Sequence, residues 1–189
     1  MSSIKNAVEY VHSLLRSHVQ LGDTVVDATI GNGRDTALLA ELAGAHGHVY
    51  GFDIQQVALD VTQARLSGAS ANHTLFLKSH SLMLETLPQH VQGLVSAITF
   101  NLGYLPGGDK SIFTQLESTV SALLNAQLLL TENGIITIVC YRHAYGEQEL
   151  ESVRNELASW SQEKYTITET QFINQQGKPP IVFVVRRQT

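Results

Sequence analysis

A single cysteine, Cys140, stands among 189 residues. No disulfide can therefore form within the chain, and no cysteine-built metal cage exists. Apolar neighbours predict that Cys140 is a core thiol. Proline is scarce: there are four, each near a predicted turn. That excludes proline-rich linkers and points to one compact domain over residues 1–189. Positive charge is also short. Twelve Lys and Arg stand against 17 Asp and Glu, for a net −5. This disfavours coating of nucleic acid by long-range charge but leaves room for a local basic patch. No apolar run nears the ~20 residues of a membrane span. The opening MSSIKNAVEYVHSLL spaces its apolar residues, whereas a secretory leader runs them together. A cytosolic protein without membrane contact is the expectation.

What is present is an alternation of apolar strands and amphipathic helices. Residues 4–19 place Val8, Val11, Leu15 and Val19 at helical spacing. TVVDAT (24–29) is a short β-branched run, and residues 34–43 are helical up to Gly44. GHVYGFDI (47–54), HTLFLKS (73–79) and GLVSAITFNL (93–102) read as strands, with a helix from Gln55 to Leu66 after the first of these. A helix over 111–130, with Ile112, Leu116, Val120, Leu123 and Leu124 on its stripe, leads through an Asn133-Gly134 turn to GIITIVCY. One more helix (Leu150, Val153, Leu157, Trp160) precedes YTITETQFI and PIVFVVRR, which only NQQGKPP separates. A parallel crossover needs a dozen or more residues, so these last strands must pair antiparallel. The prediction is an α/β, Rossmann-like, mostly parallel seven-stranded sheet with a C-terminal antiparallel hairpin and helices on both faces. That outline is shared with class I S-adenosylmethionine methyltransferases.

Ligands of such sheets bind beyond the carboxyl ends of the strands, and three stretches fall there. In DATIGNGRDT, Gly31 and Gly33 permit a tight turn and close backbone approach. Asp27 ends the first strand, where it can accept from a ligand ammonium, directly or through water. Asp35 opens the next helix, where it can also serve the dipole. Asp53 lies about twenty residues after the glycines, the position whose acid accepts ribose hydroxyls. Both NAD and S-adenosylmethionine satisfy that pattern. In NLGYLPGGDK, a phosphate-binding P-loop is nearly spelled, but Asp109 separates the second glycine from Lys110. The alternative is that Asn101 and the carbonyl of Leu102 accept from a target amine while Tyr104 stacks on the group carrying it. Pro106-Gly107-Gly108 predicts a turn and leaves room for a mobile lid. Ser79, His80 and Ser81 follow the third strand, towards an adenine. Arg142, His143 and Glu147 follow the fifth, where the first two can meet phosphate and Glu147 can assist proton removal. No Gly-x-Ser-x-Gly elbow exists for a hydrolase, and the eight histidines form no metal-ligand spacing.

Together, DATIGNGRDTALLA, GFDIQ, SHS, FNLGYLPGGDKSI and NQQGKPPIVFVV resemble the bacterial rRNA methylase family over about residues 4–187. Characterised members of that family methylate the aminomethyl group of 5-aminomethyl-2-thiouridine at the tRNA wobble position. The resemblance implies S-adenosyl-L-methionine as cofactor. Its pocket would be Asp27, Thr29, Gly31, Asn32, Gly33, Asp35, Thr36, Asp53, Gln55, Ser79, His80, Asn101 and Gly103, with no metal. It places Asn101 and Tyr104 on the catalytic face, with Asp35, His80 or bulk water taking the substrate proton. The implied partners are a tRNA anticodon stem-loop and a second copy of the chain that helps to grip it as a homodimer. Lys78, Lys110, Arg142, Lys178, Arg186 and Arg187 are candidate phosphate contacts. Two departures stand out: Arg34 replaces a frequent His, and residues 142–146 depart from the family's Gly-His-x-Gly-Gly. Three rivals remain at this level. One is an N-methyltransferase for a small molecule, protein or another RNA such as rRNA. The second is an NAD-type oxidoreductase, against which Thr36 stands where a third small residue is needed. The third is a non-catalytic RNA-binding module.

Overall fold

The computed structural model describes residues 4–109, 111–142 and 146–189. Chain order is α1 (Ala7–His18), β1 (Thr24–Asp27), α2 (Arg34–Ala43), β2 (His48–Asp53), α3 (Gln56–Arg65), β3 (Asn72–Leu77), α4 (Met83–Thr86), β4 (Val95–Leu102), α5 (Leu116–Leu129), β5 (Leu130–Cys140), α6 (Gly146–Ala158), β6 (Tyr165–Thr170) and β7 (Ile181–Arg187). The seven strands form one sheet in the order β3-β2-β1-β4-β5-β7-β6. β1 to β5 are mutually parallel, whereas β7 runs antiparallel to both β5 and β6. The order therefore reverses between β1 and β4, where a crevice opens beyond their carboxyl ends.

Strand alternation divides the core in two. Val26, Phe52, Ile98 and Phe100 pack with α4, α5 and α6 on one face. Val25, Val49, Ala97 and Val139 pack with α1 and α2 on the other. Both faces are covered, so the central strands must be apolar throughout. α1 begins in a capping box: the Asn6 side chain accepts from the Glu9 N–H at 2.9 Å, and Glu9 accepts from the Lys5 N–H at 2.7 Å. Its buried stripe is Ala7, Val11 and Leu15. Val8 lies off that stripe and lines the crevice.

The boundaries expected after β4 shift. Ile112 precedes the helix, which starts only at Leu116 because residues 103–109 and 111–115 lie in loop above the crevice. The Asn133-Gly134 turn falls inside β5, with Asn133 at φ 61°. There β4 advances from Val95 to Ala97 while β5 advances from Leu130 to Ile135. The turn thus makes a bulge rather than separating helix from strand. Among the described residues, no helix is long and apolar enough to cross a membrane, and no group of three or more His, Cys, Asp and Glu stands ready for a metal ion. Cys140 is buried, as its neighbours required.

Candidate active site

The crevice is a cavity of about 800 Å³ that runs along the carboxyl edge of the sheet from β3 to β7. At its centre is the turn after β1. Gly31 and Gly33 both sit in the left-handed region, at φ 54° and 70°. At Gly33 a β-carbon would stand 2.3 Å from the Thr62 hydroxyl oxygen on α3, so only glycine lets α2 begin this close to α3. Arg65 Nε donates to the Asn32 carbonyl at 3.0 Å and pins the turn from outside. Asp53 pins it from β2: one carboxylate oxygen accepts from the Gly31 N–H and the other from the Gln55 N–H, each at 2.9 Å. Each oxygen keeps a lone pair for a ligand hydroxyl, and Asp53 faces the cavity.

Asp27 is placed differently from expectation. It is fully buried and does not line the cavity, so it offers no direct contact to a ligand ammonium. Its carboxyl instead accepts from the Thr29 N–H at 3.1 Å and bonds the Thr36 hydroxyl at 2.6 Å, locking the turn from below. Burial, with the nearby Asp35 and Asp53 charges adding, pushes Asp27 up to about 7. Thr36 and Gly33 are likewise behind the cavity wall, whereas Thr29, Asn32, Gln55, Ser79 and Gly103 line it.

Asp35 does more than serve the helix dipole. One oxygen lies 2.7 Å from His12 Nε2 on α1, and the other accepts from Asn101 Nδ2 at 2.7 Å. An ionised carboxylate only accepts, so it forces the Asn101 amide to present nitrogen inward and leaves Oδ1 to the cavity. The Asn101 backbone N–H donates to the Thr29 hydroxyl at 2.6 Å, fixing the residue's height. His12 is a site residue that sequence reading missed. It is a lone histidine 23 positions before Asp35, and only the packing of α1 on α2 joins them.

Loop residues 103–109 and 111–115 form the roof. Tyr104 lines the cavity and bridges to Phe113 across the loop. Thr114 N–H donates to the Gly103 carbonyl at 2.9 Å. The hydroxyls of Thr114 and Thr119 both donate to the buried Glu149, at 2.7 Å each, and anchor the loop to α6. Burial raises the Glu149 carboxyl above its usual range. Asn32 Nδ2 reaches the Pro106 carbonyl at 3.3 Å, so the roof touches the glycine turn.

Several other expectations change. The Leu102 carbonyl accepts from the Tyr141 N–H at 3.1 Å, and Leu102 is not among the residues that line the cavity. His80 lines the cavity, but burial pushes it down to about 4, and its Nε2 is enclosed without a partner among the described residues. Such an imidazole is a poor proton acceptor at neutral pH. Glu147 is paired with Lys178 and Arg142, and the Lys178 hydrogen bond leads in holding it below the usual carboxylate range, which lowers its basicity. Arg186 stands opposite Ile135 of β5, and the Arg187 guanidinium donates to the Leu130 carbonyl at the start of β5, so both lie away from the cavity. Lys78, Arg142 and Lys178 line the cavity. Lys110 and His143 lie outside the described residues.

The donor set is acidic where the turn binds. Asp35 and Asp53 face the cavity, and both raise the buried Asp27. That field favours a cation bearing vicinal hydroxyls and opposes a pyrophosphate. It fits S-adenosylmethionine and disfavours a dinucleotide.

Comparison with known proteins agrees. The family model described as "Putative rRNA methylase" matches residues 49–186. The chain is 36% identical over 195 residues to the chloroplastic tRNA (mnm5s2U34)-methyltransferase of Arabidopsis thaliana, covering 97% of this chain and 70% of that protein. The crystal structure of a "putative rRNA-methylase" from Clostridium thermocellum superposes with a TM-score of 0.92 at 42% identity, covering 98% of this chain and 100% of that one. A methyltransferase from Streptococcus mutans, solved in complex with SAH, gives 0.87 at 30% identity, covering 98% and 99% of the two chains. With its fold, its crevice and these relatives in accord, the chain belongs to the rRNA methylase family of class I methyltransferases.

Proposed function

We propose that this chain transfers a methyl group from S-adenosylmethionine to the primary amine of 5-aminomethyl-2-thiouridine at the wobble position of tRNA. The observation that carries the reading is the fixed Asn101 amide. Asp35 holds its nitrogen at 2.7 Å, so its oxygen is the acceptor offered to the cavity. Likeness to the Arabidopsis tRNA enzyme supports the choice of substrate.

Bound S-adenosylmethionine supplies a methyl group already activated by a sulfonium. Asp53 takes the ribose hydroxyls, and the backbone of Gly31 lets the donor lie close to the turn. Asn101 Oδ1 accepts a hydrogen from the amine and so aims the nitrogen lone pair along the line of transfer. Orientation of this kind supplies roughly 7–11 kcal/mol in favourable cases. An amide does not titrate, so Asn101 aims but does not deprotonate. The alkylammonium must lose a proton before it attacks. Asp35, in contact with Asn101, or water beside it takes that proton; the enclosed His80 does not. Tyr104 stacks on the uracil ring, a contact worth about 1–3 kcal/mol. A wobble base is unpaired and can be splayed into such a pocket. A cytosolic location, and a second copy of the chain helping to hold the anticodon stem, belong to the same proposal.

Nucleoside mass spectrometry of tRNA from cells lacking the gene tests it. The unmethylated aminomethyl nucleoside should accumulate, and return to normal on complementation. An unchanged nucleoside profile would overturn the assignment.

A further inference from the structure

At the far end of the cavity from the glycine turn, two cations share one carboxylate oxygen. Glu147 Oε1 lies 3.3 Å from Arg142 Nε and 3.1 Å from Lys178 Nζ. Topology brings them together. β7 runs antiparallel to β5 with Cys140 opposite Ile181. The residues just after β5 therefore lie beside those just before β7, and both groups line the cavity. Arg142 Nε is buried, and among the described residues the ion pair with Glu147 is its polar contact. Among the described residues, no hydrogen bond engages the two terminal nitrogens of its guanidinium fork. Lys178 and Glu147 are partly exposed, with side-chain accessibilities of 63% and 39%. An ion pair so exposed is weak and easily exchanged. Two cations against one carboxylate leave a positive charge uncompensated in a chain of net −5.

Positions along the sheet edge give this charge a purpose. The donor half of the cavity lies over β3, β2 and β1, Asn101 ends β4, and the cations follow β5 and precede β7. A nucleotide whose base reaches Asn101 carries its backbone out of the same mouth. On the reading that the substrate is RNA, we propose that Arg142 and Lys178 form a seat for one phosphodiester of that RNA, with Glu147 holding the place until the RNA arrives. A guanidinium fork beside a mobile ammonium suits a phosphate, the first by paired hydrogen bonds and the second as a point charge.

The test is fluorescence anisotropy with a labelled anticodon stem-loop RNA across a salt series. Relative to wild type, the double variant Arg142→Ala/Lys178→Ala should bind about tenfold more weakly at low salt. Its slope of log affinity against log salt should be shallower by about 0.7, the loss of one phosphate contact. Glu147→Gln should bind severalfold more tightly, a gain that misfolding cannot produce. S-adenosylmethionine affinity, read by calorimetry, should be unchanged in all three proteins. Wild-type affinity and slope in the double variant, or weakened RNA binding by Glu147→Gln, would overturn the phosphate seat while leaving the RNA reading intact. A wild-type protein that binds no RNA would overturn both.

Discussion

Gly33→Ala probes the turn on which the whole site rests. Gly33 caps the N-terminus of α2 in the left-handed region, at φ 70° and ψ 19°. An alanine there costs about 1–2 kcal/mol in backbone conformation alone. Its β-carbon would also stand 2.3 Å from Thr62 Oγ1 and 2.9 Å from Thr62 Cβ and Cγ2. Thr62 is fully buried on α3, so the two helices must part, which adds about 1–3 kcal/mol of overpacking. The expected destabilisation is therefore about 2–5 kcal/mol, read from urea unfolding midpoints at constant m-value. A second change separates the two costs. Among the described residues Thr62 Oγ1 has no hydrogen-bond partner, so Thr62→Ala forfeits none while removing two of the three clashing atoms. In the Thr62→Ala background, Gly33→Ala should cost little beyond the conformational part, giving a coupling of about 1–3 kcal/mol. A loss below about 1 kcal/mol in the wild-type background, or the same loss in both backgrounds, would refute the packing argument.

Asp53→Ala removes the acceptor for two hydroxyls, and S-adenosylmethionine affinity measured by calorimetry should fall at least about a hundredfold, at roughly 1.5 kcal/mol per charged hydrogen bond. A change under threefold would deny Asp53 its role. Asn101→Ala should spare that affinity and slow single-turnover methyl transfer about a hundredfold, the cost of a misplaced nucleophile; an unaltered rate would remove Asn101 from the reaction. Asp27 titrates near 7 in the fold against 3.8 otherwise, so between those values the folded chain holds a proton that the unfolded chain has lost. Stability contributed by this group is thus greatest at low pH and declines as pH rises towards 7. Asp27→Asn should flatten that decline by about 2 kcal/mol between pH 5 and pH 7 in urea titrations; equal slopes in the two proteins would show that Asp27 is ionised throughout.

Local pattern carried much of the outcome by itself. The alternation of β-branched runs with helical stripes, the seven-residue NQQGKPP link too short for a parallel crossover, and the Gly31–Gly33 turn with Asp53 beyond it are short-range features. Strand period, loop reach and left-handed φ are properties of a few consecutive residues, so they can be read without coordinates. What only the tertiary structure decided is which distant groups meet and which way they face. His12 joins Asp35 because α1 packs on α2. Asp27 turns inward because the sheet buries it on every side. Antiparallel register sends Arg186 and Arg187 to the edge away from the cavity and brings Lys178 to Arg142. These contacts depend on packing and register among segments far apart in the chain, and hydrophobic pattern leaves the partners of individual polar side chains undetermined.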